Sequence, residues 1–188
     1  HVVSCEIEGL FLPSFALTCT IIARLFAERN DAEIKNILDQ YKNQGNGFGW
    51  HMQNTVINYA TSEVIHYPSA SDFGQSTAVN SSQNRILLFF VKDSLEDALL
   101  ADALRNASAR KYVQQLTGLV DPHILVDVGE YFARPARLCF PWTGKAGKNF
   151  REVRSGWFGC GNGYLYLGGN GDLYGNSAAR GVRRGGTQ

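Results

Sequence analysis

Four cysteines (Cys5, Cys19, Cys139 and Cys160) and the histidines His51, His66 and His123 are the side chains with the most reactive chemistry in this chain. A cysteine in a helical stretch followed later by a histidine is the chain order of a thiol hydrolase. A secreted or injected cysteine-dependent hydrolase using Cys19 or Cys160 with His123 is therefore the enzymatic alternative. Cys19, however, shares a helical stripe with Phe15 and Ile22, where a small buried hydrophobe belongs. His123 and Asp127, placed on one strand face, stand four residues apart, roughly 13 Å at strand rise, too far to form a dyad.

No cysteine pair has C-x-x-C spacing, which argues against zinc and thioredoxin-like sites. Cys139 and Cys160 could close a disulfide, and four free thiols fit the pattern equally well. The three histidines could meet around a metal, but scattered histidines are more often surface or core residues. Asp72-Phe73-Gly74 lacks the companion loops of a kinase. Gly144-Lys145 and Gly147-Lys148 lack phosphate-loop spacing. Gly159, Gly161 and Gly163 follow no βα entry. The expected set of catalytic residues, metals and cofactors is none.

Residues 156–177 read GWFGCGNGYLYLGGNGDLYGNS, with eight glycines, five aromatics and three asparagines, and Asp172 as the only charge. Tyrosine and tryptophan offer contact area at low side-chain entropy cost, while glycine and asparagine shape adaptable loops. A Gly-rich β core, a glycan site and a protein-binding face all fit this composition, and binding is favoured. The candidate contacts are Phe158, Tyr164, Tyr166, Asn170, Asp172, Tyr174 and Asn176, with Trp142 and Trp157 supporting the scaffold. In a strand, Tyr164 and Tyr166 face one side and Leu165 and Leu167 the other. A turn at Gly168–Gly171 is expected to bring Asp172 and Tyr174 onto the same patch.

Several segments carry a resemblance. FLPSFALTCTIIARLFAERNDAEIKNIL (11–38) resembles the Leu-Pro-Ser entry and helices of bacterial and phage C-type-lectin-fold domains. RLCFPWTGKAG (137–147), SGWFG (155–159), GYLYLGGNGDLYGNSA (163–178) and ARGVR (179–183) resemble the closing part of that fold. The group includes ligand-binding proteins varied by diversity-generating retroelements, in which substitution at Asn codons scatters Tyr, Asp, Gly and similar residues through a fixed scaffold. The resemblance implies an adhesin or receptor-binding protein on a pilus, cell surface or phage tail. It would be extracellular or on a virion, and its partner a protein or glycan on a cell surface. It also implies that the strand at Val2–Glu8 pairs with the end of the chain near Gly181–Arg183. The usual Trp-Ser-Ser patch and the calcium-ligand motifs are missing, and residues 50–136 carry no likeness.

The positioning elements follow from pattern. Val2–Glu8 alternates as a half-buried strand. Ser14 caps a helix from Phe15 to about Glu28 with Phe15, Cys19, Ile22 and Phe26 on one face. Asn30, with Glu33 three residues on, caps a second helix with the stripe Ile34, Ile37, Leu38 and Tyr41, stopping near Gly45. Gln53–Tyr59 and Glu63–Tyr67 form a hairpin, Ser69–Asn84 a polar loop and Arg85–Lys92 a buried strand. Asp93, with Glu96, starts an Ala/Leu-rich helix that breaks near Asn106 and stops at Gly118. His123–Val128 and Arg137–Trp142 read as strands.

These elements give the α+β class in a single domain over 1–188, with a disordered tail at about 184–188. The 188 residues suffice for one core, and 44% hydrophobic with 19% charged residues excludes a disordered chain. The apolar run Phe15–Phe26, interrupted by Thr18, Thr20 and Arg24, is too short and polar to span a membrane, so no membrane insertion is expected. From Lys145 onward seven basic residues face Glu152 and Asp172, a net +5 that leaves −4 for residues 1–144. This is read as surface charge and a frayed tail, with no nucleic-acid partner. Asn80 and Asn106 head formal glycosylation triplets.

Overall fold

The structure is a computed structural model that describes residues 13–43, 49–58, 63–66, 85–87, 98–139 and 153–171. Five helices and six strands lie within them: α1 (Phe15–Ala27), α2 (Ala32–Asn43), β1 (Gly49–Asn58), β2 (Glu63–His66), β3 (Arg85–Leu87), α3 (Leu100–Ala103), α4 (Ala107–Thr117), α5 (Ile124–Tyr131), β4 (Ala136–Cys139), β5 (Val153–Gly161) and β6 (Tyr164–Gly171). The chain is therefore mixed α and β, as its pattern predicts. The expected strand at Val2–Glu8 and its pairing with Gly181–Arg183 lie outside the described residues. So do the stop at Gly45, the loop Ser69–Asn84, residues 88–92, the helix start at Asp93, Trp142 and the tail.

The strands form one sheet in the order β3-β2-β1-β5-β6-β4. All pairings are antiparallel except β4 with β6, which is parallel. The outer edge of β4 is covered by residues 98–99, where Leu138 N–H donates to the Ala98 carbonyl at 2.8 Å and Leu99 bridges Arg137. A covered edge offers no unpaired backbone to another chain.

The main core lies between one face of the sheet and the helices. From the helices it takes Phe15, Cys19, Ile22, Leu38, Tyr112, Leu116, Leu125 and Phe132; from the sheet Ile57, Val64, Leu138, Phe158, Cys160, Leu165 and Leu167. The α1 stripe is buried as its spacing predicts, at Phe15, Cys19, Ile22 and Phe26. Ser14 Oγ accepts from Leu17 N–H at 3.2 Å and caps that helix. The second cap falls one residue later than expected. Asp31 Oδ1, not Asn30, accepts from Glu33 and Ile34 N–H at 2.8 and 3.1 Å, which fills two of the orphan donors of α2.

The break at Asn106 and the stop at Gly118 are where the pattern places them. Asn106 Oδ1 caps α4 by accepting from Ser108 and Ala109 N–H at 2.9 and 3.1 Å, and Gly118 ends it in the left-handed conformation at φ 68°.

The strand expected at His123–Val128 is instead the start of α5. Asp121 Oδ1 accepts from His123 N–H at 3.0 Å and Pro122 opens the first turn, its carbonyl accepting from Leu125 N–H at 3.1 Å. Leu125, Val128, Gly129 and Phe132 are then buried at helical spacing. A short apolar run such as Ile124-Leu125-Val126 fits either element, and the tertiary face decides. After the helix the chain turns at Ala133, φ 53°, and returns into β4 so close to Gly129 that a Cβ there would stand 2.8 Å from the Arg134 carbonyl and the Ala136 nitrogen.

Candidate functional site

The β5–β6 hairpin builds the segment that the sequence singles out. Its turn is Asn162-Gly163, with φ 46° and 80°, the two left-handed residues of a tight hairpin. The turn expected at Gly168–Gly171 is absent. Those glycines continue β6, and the register slips between the pairs Ser155–Gly171 and Trp157–Gly168, so that β6 carries an extra residue there. Glycines inside a strand mark such a bulge as readily as a turn.

Strand alternation then sorts the side chains. Leu165 and Leu167 are fully buried in the main core, as expected from their parity. Tyr164, Tyr166 and Trp157 lie in a separate cluster with Cys139 on the opposite face. The ring centres of Trp157 and Tyr166 are 5.9 Å apart, and those of Tyr166 and Tyr164 are 5.8 Å apart. Arg137 on β4 sets its guanidinium 4.6 Å from the centre of the Tyr164 ring. The result is a row of three aromatics ending in a cation. Of the three rings only the half-buried Tyr164 keeps surface for stacking against a sugar ring or an apolar side chain.

Burial grades this row. Trp157 and Tyr166 are each 8% exposed, while Tyr164, Arg137 and Cys139 are half-buried. Trp157 lies on Gly168, its cross-strand partner, so closely that an added Cβ would fall inside the indole. Trp157 thus supports the scaffold, as expected. Phe158 does not belong among the contacts. It is 1% exposed and packs into the main core, because it sits on the face of β5 opposite to Trp157. The Asn170 side chain and all of Asp172, Tyr174 and Asn176 lie outside the described residues. Arg137 was missed by sequence reasoning, since only the parallel β4–β6 pairing brings it beside Tyr164.

Cys19 and Cys160 show the opposite of nucleophile activation. Cys19 is wholly buried and burial pushes its thiol well up. Cys160 is 3% exposed and burial pushes it up to about 11, partly offset by Arg134 and Lys42. A reactive thiol needs a lowered value and access. His123 is exposed at the head of α5. Cys139 and Cys160 are not joined to each other: they lie on opposite faces of the sheet, and β6 runs between their strands.

A second polar constellation lies in the core. Phe15 N–H, an orphan donor at the head of α1, donates to Thr55 Oγ1 at 2.8 Å, and Thr55 Oγ1 lies 2.8 Å from His66 Nδ1. Thr55 faces His66 across the β1–β2 ladder, next to the irregularity in β1 between Met52 and Val56. The Phe15 ring and the Thr55 side chain both crowd Gly156 of β5, where a Cβ would stand 3.2 Å from the ring. Burial lowers His66 to about 4, and the approach of the Gln115 backbone to the ring pulls weakly the other way. That approach is not a formed bond: Nε2 closes no hydrogen bond. His66 is therefore a neutral core histidine in this arrangement, and the His51 side chain lies outside the described residues.

Among the described residues no group of three or more His, Cys, Asp or Glu is placed to hold a metal ion, and no helix is long and apolar enough to cross a membrane. Comparison with protein-family models, with curated proteins and with solved structures finds no match for this chain.

Proposed function

We propose that this chain is a ligand-binding domain of an adhesin or receptor-binding protein, and that the aromatic face of the β5–β6 hairpin is its recognition surface. The observation that carries this reading is the sorting of side chains in β6. Leucines fill the core on one face, while Tyr164 and Tyr166 line up with Trp157 and Arg137 on the other. Aromatic and arginine side chains are the types that dominate binding energy at interfaces. The half-buried Tyr164 and Arg137 are the more accessible end of the row, and Trp157 and Tyr166 its support.

The finer assignment is to a C-type-lectin-like domain of the retroelement-diversified kind, displayed on a pilus, cell surface or phage tail. Its support is the Leu12-Pro13-Ser14 entry into two helices and the Gly/aromatic/Asn closing segment. The ligand would be a protein or a glycan on a cell surface. An array of immobilised oligosaccharides, together with intact cells, tests the binding reading with the full chain as probe. Saturable binding that Tyr164→Ala weakens supports it; binding indifferent to Tyr164 and Arg137 removes this face from consideration. The diversified class is tested separately by the coding DNA. It requires a neighbouring near-copy of the region encoding 150–183 that differs at adenines.

A further inference from the structure

We infer that the Phe15–Thr55–His66 chain is an acid-operated latch, which fastens the head of α1 to the β1–β2 hairpin while His66 is neutral and releases it when the imidazole is protonated. This stands apart from the binding reading above. Thr55 Oγ1 accepts from Phe15 N–H at 2.8 Å, so its own hydrogen is available for His66 Nδ1, 2.8 Å away. In the latched arrangement that hydrogen goes to Nδ1, which presents its lone pair, and the ring carries its own hydrogen on Nε2, toward the Gln115 backbone. Thr55 is fully buried and His66 is 9% exposed.

Protonation changes this in two ways. Nδ1–H would face an oxygen whose own hydrogen points back at it, and the Thr55 hydroxyl would have to rotate that hydrogen into the core. A full positive charge would also stand in a buried site, which is costly without a partner.

Among the described residues little offers that charge relief. In the β1–β2–β3 ladder the charged residues Glu63 and Arg85 occupy the alternate register set, with Ile65 rather than with His66. The titratable residues buried on the two helices that reach this point, Cys19 of α1 and Tyr112 of α4, are both held neutral by burial. Release of the latch would free the first turn of α1 and lift the Phe15 ring from Gly156, the neighbour of Trp157 in β5.

The test uses the full chain, labelled with nitrogen-15, in two NMR measurements. Ring nitrogen shifts at pH 7 should show His66 as the Nε2–H tautomer; the Nδ1–H tautomer would overturn the assignment. Amide protection factors between pH 7 and 4 give the second readout, with Ala109, capped by Asn106 in α4, as internal reference. Protection at Phe15 should fall about 10-fold per pH unit below about 6.5, while protection at Ala109 falls less, by no more than the global stability declines. His66→Asn, whose side-chain oxygen can accept from Thr55 without titrating, should flatten the Phe15 profile. A flat wild-type profile, an equal fall at Ala109, or an unchanged profile in the variant each contradicts the latch. Should that variant not fold, the tautomer and the wild-type comparison of Phe15 with Ala109 decide alone.

Discussion

Gly168→Ala isolates how the aromatic row is seated. Gly168 has no left-handed φ, so the substitution asks nothing new of the backbone. Its effect is steric: the added Cβ would fall within the Trp157 indole, which is itself 8% exposed. The indole has to slide off its cross-strand partner. A tryptophan buries about 150–250 Å², and at about 25 cal/mol per Å² complete expulsion would cost about 4–6 kcal/mol. Partial displacement, with strain of the kind seen on overpacking, sets the expected loss at about 2–4 kcal/mol. Urea denaturation reads it as a lower midpoint at unchanged slope. A double-mutant cycle with Trp157→Ala then locates the cause. In the Trp157→Ala background Gly168→Ala should be nearly neutral, since alanine loses less entropy than glycine in a strand. A loss under about 0.5 kcal/mol in the wild-type background, or the same loss with and without the indole, would refute the packing argument.

Thr55→Val should cost about 2–4 kcal/mol in the same assay, because it leaves Phe15 N–H and His66 Nδ1 buried without their partner, while Thr55→Ser should cost less. Stability should also decline as pH falls from about 6.5 toward 4, since the unfolded chain takes a proton on His66 that the folded chain, titrating at about 4, refuses. The decline attributable to His66 is at most about 3 kcal/mol and should vanish in His66→Asn, as followed by denaturation across that pH range. Cys19 should resist a thiol reagent in the native protein and react only on unfolding, as mass spectrometry of the labelled peptides would show; rapid native labelling would reopen the thiol-hydrolase alternative.

Local signals carried much of the fold. Ser14 before an apolar stripe, Gly118 after one, and the β1–β2 hairpin are legible because cap, stop and alternation each act within a few residues of chain. The parity of Leu165 and Leu167 against Tyr164 and Tyr166 is legible for the same reason. Where two local readings compete, the wider window decides. Ile124-Leu125-Val126 suits a strand until the helical spacing of Leu125, Val128 and Phe132 is weighed, and that spacing was in the sequence. The Asn162-Gly163 pair is likewise a hairpin signal, and a stronger one than the glycines at 168–171.

Phe158 entered the contact set through composition, although its position one residue from Trp157 already places the two on opposite faces of a strand. What the chain could not reveal locally is pairing at a distance. Arg137 meets Tyr164 only because β4 runs parallel to β6, and Thr55 meets Phe15 across 40 residues of sequence. No spacing rule connects either pair.

The central claim is that the outer face of β5–β6 recognises a ligand rather than merely closing the fold. It is tested most directly by measuring Tyr164→Ala for both binding and stability, with the full chain on the oligosaccharide array and on intact cells and with urea denaturation in parallel. Tyr164 is half-buried at the more accessible end of the row, so truncation should weaken binding by about 30-fold, or about 2 kcal/mol, with stability changed by less than about 1 kcal/mol. Unchanged binding accompanied by a large loss of stability would show that these rings serve the fold alone.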